Sequence, residues 1–160
     1  MLDTALAVSL RGIDLPHFVA IHDVDGVAPG LYRWPDLSQP VRGGDLRAEL
    51  HRIASGQGLA GDAAFVVIGA ADLASISERG YRDLQLAAGL VEGRLHLAAY
   101  ALGYGASGMT FLDSEIPALL HDDLEALLFT CVGVPEYGNK RAGPPGEPAP
   151  FRQVMPRLDE

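Results

Sequence analysis

Residues 81–141 read YRDLQLAAGLVEGRLHLAAYALGYGASGMTFLDSEIPALLHDDLEALLFTCVGVPEYGNKR, and the fold turns on how this stretch is read. Its first part predicts one long helix from about Tyr81 to Leu102. Leu84, Ala88, Val91, Leu95, Ala98 and Leu102 recur at helical spacing, while Leu86, Leu90, Leu97 and Ala101 fall largely outside that stripe. A helix apolar on two sides is expected to be buried on both. Ala87, Ala88, Gly89, Gly93, Ala98 and Ala99 are small and let a neighbouring helix come close. Two interior glycines each cost about 1 kcal/mol relative to alanine, so tight packing must compensate. The reading is a core helix that also borders a subunit interface.

Beyond that helix, Gly103, Gly105 and Gly108 form a GxGxxG match. A dinucleotide-binding motif of that type must follow a strand and open a helix, whereas this one follows a helix. It therefore reads as a helix C-cap and turn, with Gly103 or Gly105 in the left-handed region. A loop without bulky side chains lets backbone N–H groups approach a ring system closely. Ser114–Leu120 has capping-box character, and Leu124–Val134 is an apolar strand, with a helical start as an alternative. The only adjacent cations of the chain, Lys140 and Arg141, follow it. Backbone groups at a bend and cations past a strand suit a flat aromatic cofactor with an anionic end.

Upstream, His17–Asp23 and Gly30–Trp34 carry strand-period alternation, and the Gly-, Asp- and Pro-dense segment between them reads as a hairpin connection. Pro35–Pro40 is loop. Asp45 is placed to cap a helix carrying Leu46, Leu50 and Ile53. Ala63–Ala70 (AAFVVIGA) is a continuous apolar run of strand length, expected at the centre of a sheet. A short helix is expected around Asp72–Glu78. No internal repeat is present. The domain expectation is one unit over residues 1–137 and a Pro/Gly-rich tail over 138–160.

Composition closes off several classes. A chain of 160 residues with 48% hydrophobic content can bury the core of one domain. A net charge of −9 argues against general nucleic-acid binding, which needs a basic surface. Glu92, Arg94 and His96 in mid-helix argue against a membrane span. The opening MLDTALAVSL has an acidic residue where an export signal needs basic ones, so a cytoplasmic location is expected. The single Cys131 excludes an internal disulfide and reads as a buried, inert thiol. Asp23 and Asp25 lack the further ligands of a calcium loop, and the five histidines show no metal-ligand spacing, so no metal is expected. Arg79 and Arg82 are either surface cations or phosphate and substrate contacts at a helix start.

Taken in order, PGLYRW, AAFVVIGA, RGYR, AAGL, LAAYALGYGA, SGMTFLD and VGVPEY resemble the FMN-dependent nitroreductase family, in particular its SagB-type dehydrogenase branch. The resemblance implies an α+β fold, a mainly antiparallel sheet packed by helices around a long central helix. It implies FMN as cofactor, with Ser107, Gly108, Met109 and Thr110 against the flavin ring and Lys140, with Arg141, at its phosphate. Arg82, in the RGYR segment, joins them as a cofactor contact. The implied reaction is ping-pong hydride transfer from NAD(P)H or a similar donor to an acceptor the sequence does not identify.

Two features depart from that family. Its Arg-Arg-Ser-x-Arg-like segment, which supplies most of the phosphate grip, has no counterpart before Leu10. The resemblance thus implies a fold incomplete at its N-terminus, and a homodimer or heteromer in which a partner subunit supplies missing elements. The Lys-Tyr pair of the azoline-oxidising branch falls at about Ser75 and Ile76, so that activity is not implied. The competing reading is a degenerate half-domain without flavin that serves as a scaffold or assembly subunit.

Overall fold

A computed structural model describes residues 1–74 and 76–135. The central strand β4 (Phe65–Ala71) is buried along its whole length, as its unbroken apolar sequence requires. It pairs antiparallel with β1 (His17–Ile21) on one side and β6 (Glu125–Gly133) on the other. Outside β1 lie β2 (Gly30–Arg33) and the two-residue β3 (Arg42–Gly43), and outside β6 lies β5 (Gly105–Met109). The six-stranded order is β3-β2-β1-β4-β6-β5, with every pairing antiparallel.

Two helical layers cover the sheet. On one face, Phe18, Val66, Ile68 and Phe129 pack with Leu50 and Ile53 of α2 (Arg47–Ile53) and Ile116 and Leu119 of α5 (Ile116–Leu120). The short α3 (Gly58–Asp62) lies beside them through Ala60. On the other face, Val19, Ile21, Phe65, Val67 and Val132 pack against Leu2 and Leu6 of α1 (Leu2–Ser9) and Val91, Leu95 and Ala99 of α4 (Glu78–Ala101). The β4–β6 register shifts between Gly69 and Ala70, so Leu127 is an extra residue on β6. It packs, with Leu128, on the α4 side of the sheet. Arg94 of α4 donates to the carbonyls of Ser9 (3.4 Å) and Arg11 (2.8 Å), fastening the end of α1 to the long helix.

Several expectations change. Both strands of the first hairpin form, but β1 is buried throughout rather than on alternate residues, because a helical layer covers each face. Asp45 accepts from the Arg47 N–H at 2.9 Å just ahead of α2, whose N-cap is Leu46. No helix forms over the described residues of 72–77; Asp72 accepts from the Ala74 N–H at 3.0 Å and Ser77 caps α4 through the Gly80 N–H at 3.1 Å. Such side chains offer the backbone an alternative to helix. The capping box expected over Ser114–Leu120 does not form: α5 has no side-chain cap, and Glu115 meets Arg52 at 2.9 Å. Glu115 is the last residue of a 3-10 turn over Asp113–Glu115. β6 begins at Glu125 with no helical start. The α1 helix was not anticipated.

The largest correction concerns α4. Only one of its apolar faces is buried: Ala88, Val91, Leu95 and Ala99 meet the sheet, whereas Leu86, Leu90, Leu97 and Tyr100 are exposed. The described chain has no layer to cover the second face. The tail boundary expected at 137/138 lies outside the described residues.

Leu95 is fully buried between α4 and the sheet. Leu95→Ala is expected to lower unfolding free energy by about 2–5 kcal/mol, through lost transfer energy plus a residual cavity. A urea titration of both chains checks this.

Candidate functional site

The bend after α4 has a defined cause. Gly103 takes φ +82°, its N–H donates to Tyr100 O at 3.1 Å, and the Tyr104 N–H donates to Ala99 O at 2.8 Å. These two bonds form a Schellman closure, which needs a left-handed residue and explains the glycine. The chain then enters β5, so Gly105–Met109 is a strand rather than the expected loop. Gly105 pairs with Gly133, Ser107 with Cys131 and Gly108 with Thr130. Among the described residues β5 is an edge strand, and strand geometry sends successive side chains to opposite faces.

That alternation separates the residues expected to line one ring. Ser107 borders a cleft of about 540 Å³ on the α3 side of the sheet. Gly105, Ser107, Cys131 and Gly133 contribute to its lining, with Leu59, Asp62 and Ala63 beside them and Pro135 close to Gly105. Gly108 points the other way, and a methyl group there would collide with the Glu92 carboxylate of α4. Met109 packs against the core under α2 and α5. Thr110 accepts a hydrogen bond from Gln57 Nε2 at 2.7 Å, and the Leu112 N–H donates to Ile53 O at 2.8 Å, tying this segment to the end of α2. Arg82 is exposed in the second turn of α4. It lies ten residues, about 15 Å of helix, from the Glu92 that touches Gly108. Lys140 and Arg141 lie outside the described residues.

Sequence reasoning missed Asp62, Gly133 and Glu92. The first two approach Ser107 only through strand pairing and the α3 placement, and Glu92 only through packing of α4 on β5. A second cleft, of about 420 Å³, includes Asp23, Asp25, Asp62, Arg47 and Tyr104 in its lining. The Arg47 guanidinium donates to the carbonyls of Gly61 and Ala63. Among the described residues no group of three His, Cys, Asp or Glu side chains could hold a metal ion. Within the same limits, no helix is long and apolar enough to cross a membrane.

The flat floor of small residues fits a planar ring. The fit at an anionic end is different: no described cation lines this cleft, and Asp62 does. A phosphate there would need cations from outside the described residues or from another chain.

Comparison with known proteins places the fold. No protein-family model matches the chain, and no curated protein does. Among solved structures, a protein of Anabaena variabilis described as a nitroreductase superposes with a TM-score of 0.77 at 29% identity. The match covers 84% of this chain and 33% of that one. A chain of the E. coli microcin synthetase complex gives 0.67 at 16% identity, covering 84% and 63%. Nitroreductase A of Vibrio parahaemolyticus gives 0.61 at 19% identity, covering 84% and 57%. The chain thus has a nitroreductase-like α+β fold and spans between a third and two thirds of the length of these three proteins. The resemblance read from the sequence holds at the level of the fold.

Two buried groups give testable consequences. Burial pushes the Cys131 thiol up to about 12, so the thiolate is scarce at neutral pH. A thiol reagent at pH 8 should label the native chain no faster than global or local unfolding exposes Cys131. His17 and His22 are buried, with Nδ1 against Leu15 O (2.7 Å) and Ala63 O (3.0 Å), and His22 Nε2 has no partner among the described residues. Desolvation holds both rings below their ordinary value of 6.5. Above 6.5 the neutral rings cost nothing. As pH falls below that value, the unfolded chain takes up protons that the folded chain refuses, and stability drops until the folded pKa is passed. Unfolding free energy should therefore decline as pH falls below about 6.5. The decline should be shallower in a His17→Asn/His22→Asn chain.

Proposed function

We propose that this chain is an FMN-dependent oxidoreductase of the nitroreductase family, in its SagB-type branch, with a flavin site completed by a second polypeptide. The observation that supports it most directly is the floor of Gly105, Ser107, Cys131 and Gly133 beside the α3 wall, in a fold shared with nitroreductases. Two strands that carry no large side chain at one end leave sheet surface uncovered. Such a surface accepts a planar ring, and a cleft of about 540 Å³ is within the range of small-molecule sites.

In this reading Ser107 offers its hydroxyl, and those backbone amides of Gly108, Met109 and Thr110 that do not pair with β6 offer donors, to the polar edge of the ring. Lys140 and Arg141 would meet the phosphate, with Arg82 as a further cation. FMN supplies the hydride chemistry, from NAD(P)H in one half-reaction and to a second substrate in the other. The chain's own part is to orient the ring, keep water from one of its faces and set the charge around it. Asp62 is the one carboxylate among the described lining residues and disfavours an anion on that side, so the phosphate end belongs away from α3. A cytoplasmic location accords with a reduced-nicotinamide donor.

The scaffold reading predicts no flavin binding at all. Flavin absorbance in the purified chain, or in a mixture with a partner but not alone, supports the oxidoreductase; colourless protein under both conditions leaves the scaffold. Ser107→Phe, which fills the floor of the cleft, should abolish flavin retention while far-UV circular dichroism stays unchanged. Lys140→Ala should weaken FMN binding by about 1–3 kcal/mol through loss of a charge-assisted contact, read by fluorescence titration. Unchanged affinity removes Lys140 from the site.

A further inference from the structure

Two buried polar side chains interrupt the apolar layer between α4 and the sheet. His17 is 3% exposed and Thr130 4%. Strand alternation sets both on the α4 side, His17 in step with Val19 and Ile21 of β1, Thr130 with Val132 of β6. His17 Nδ1 lies 2.7 Å from Leu15 O, and a nitrogen facing a carbonyl oxygen must carry the ring proton. Nε2 of the neutral ring is then a bare acceptor. Leu15 O is the sole hydrogen-bond partner of this ring among the described residues. The Thr130 hydroxyl likewise forms no hydrogen bond to a described residue, so the two groups do not meet directly.

Both residues border one small cavity under α4, closed by Val67, Gly69, Ala88, Val91 and Leu128. Gly69 makes the room. It pairs with His17 of β1 on one side and Leu128 of β6 on the other, and Thr130 sits one pairing step along, opposite Val67. A methyl group on Gly69 would stand 3.3 Å from His17 Nε2. The edge of the imidazole that bears the lone pair therefore lies over the glycine, and any larger residue would fill the space it faces. About 10 Å³ is open to the centre of a water molecule, which is room for one.

We propose that this cavity is a binding site for a single water molecule, which donates to His17 Nε2 and exchanges a second hydrogen bond with the Thr130 hydroxyl. The lining selects that occupant. An acceptor left bare in an apolar layer is costly, and an apolar guest would leave both polar groups unmet. A cation finds no carboxylate in the lining, and a larger molecule does not fit. Water can serve both groups at once across a gap too wide for a direct bond. It ties β1 to β6 over the top of β4 and holds the His17 ring in its Nδ1–H tautomer. None of this depends on the flavin reading.

A high-resolution crystal structure of the full chain should show one water within hydrogen-bonding distance of both His17 Nε2 and Thr130 Oγ1. In solution, water-selective NOE and ROE spectra should give a cross-peak between water and the His17 Cε1 proton, with the sign of a long-lived bound molecule. Thr130→Val keeps the shape and removes the hydroxyl. It should move the His17 Nε2 nitrogen resonance downfield, as for an acceptor that has lost its donor. Gly69→Ala fills the space and leaves the hydroxyl in place, so it should abolish the cross-peak with far-UV circular dichroism retained. A cross-peak that survives Gly69→Ala comes from exchange with the hydroxyl and overturns the proposal. An Nε2 resonance unmoved by Thr130→Val overturns it too. Should either variant fail to fold, the wild-type crystal structure decides alone: a dry cavity, or a direct bond between His17 and Thr130, sinks the assignment.

Discussion

Burial of β4 on both faces is the constraint from which the rest of the architecture follows. Seven consecutive residues with no exposed member admit no solvent-facing side, so each face must be closed by helices. That requirement fixes α1 and α4 on one side and α2, α3 and α5 on the other. It also explains why β1, whose sequence alternates, is buried throughout. The two-layer cover is complete over β1 and β4 and thins toward β5. The cleft beside Ser107 lies where the cover stops.

The long helix carries two demands at once. Its inner stripe completes the core through Val91, Leu95 and Ala99, and Arg94 fastens α1 to it. Its outer stripe is just as apolar but meets no other part of the described chain. Gly89 and Gly93 lie on this outer side, and a methyl group at either would meet nothing within 4 Å.

Chemistry on this scaffold is set by what is small rather than by what is reactive. Glycines and a serine at one end of β5 and β6 leave flat sheet surface, and the one thiol beneath them is held protonated by burial. Strand pairing divides the Ser107–Thr110 segment between two faces. One residue borders the cleft, one lies against Glu92, one enters the core and one is tied to Gln57. A ring-binding role along β5 therefore rests on Ser107 and on backbone donors rather than on four side chains acting together.

Sequence alone determined the elements and their local logic. The apolar run of β4, the hairpin before it, the length of α4 and its glycine stop at Gly103 were all legible, because each depends on periodicity or on a backbone conformation that few residues adopt. The order of quoted segments carried the fold class. Tertiary structure alone decided which face of α4 is covered, that Gly105–Met109 pairs as a strand, and that Asp62, Gly133 and Ser107 border one cleft. Periodicity records which residues share a face. Whether another layer covers that face depends on partners distant in sequence, and no local pattern contains them.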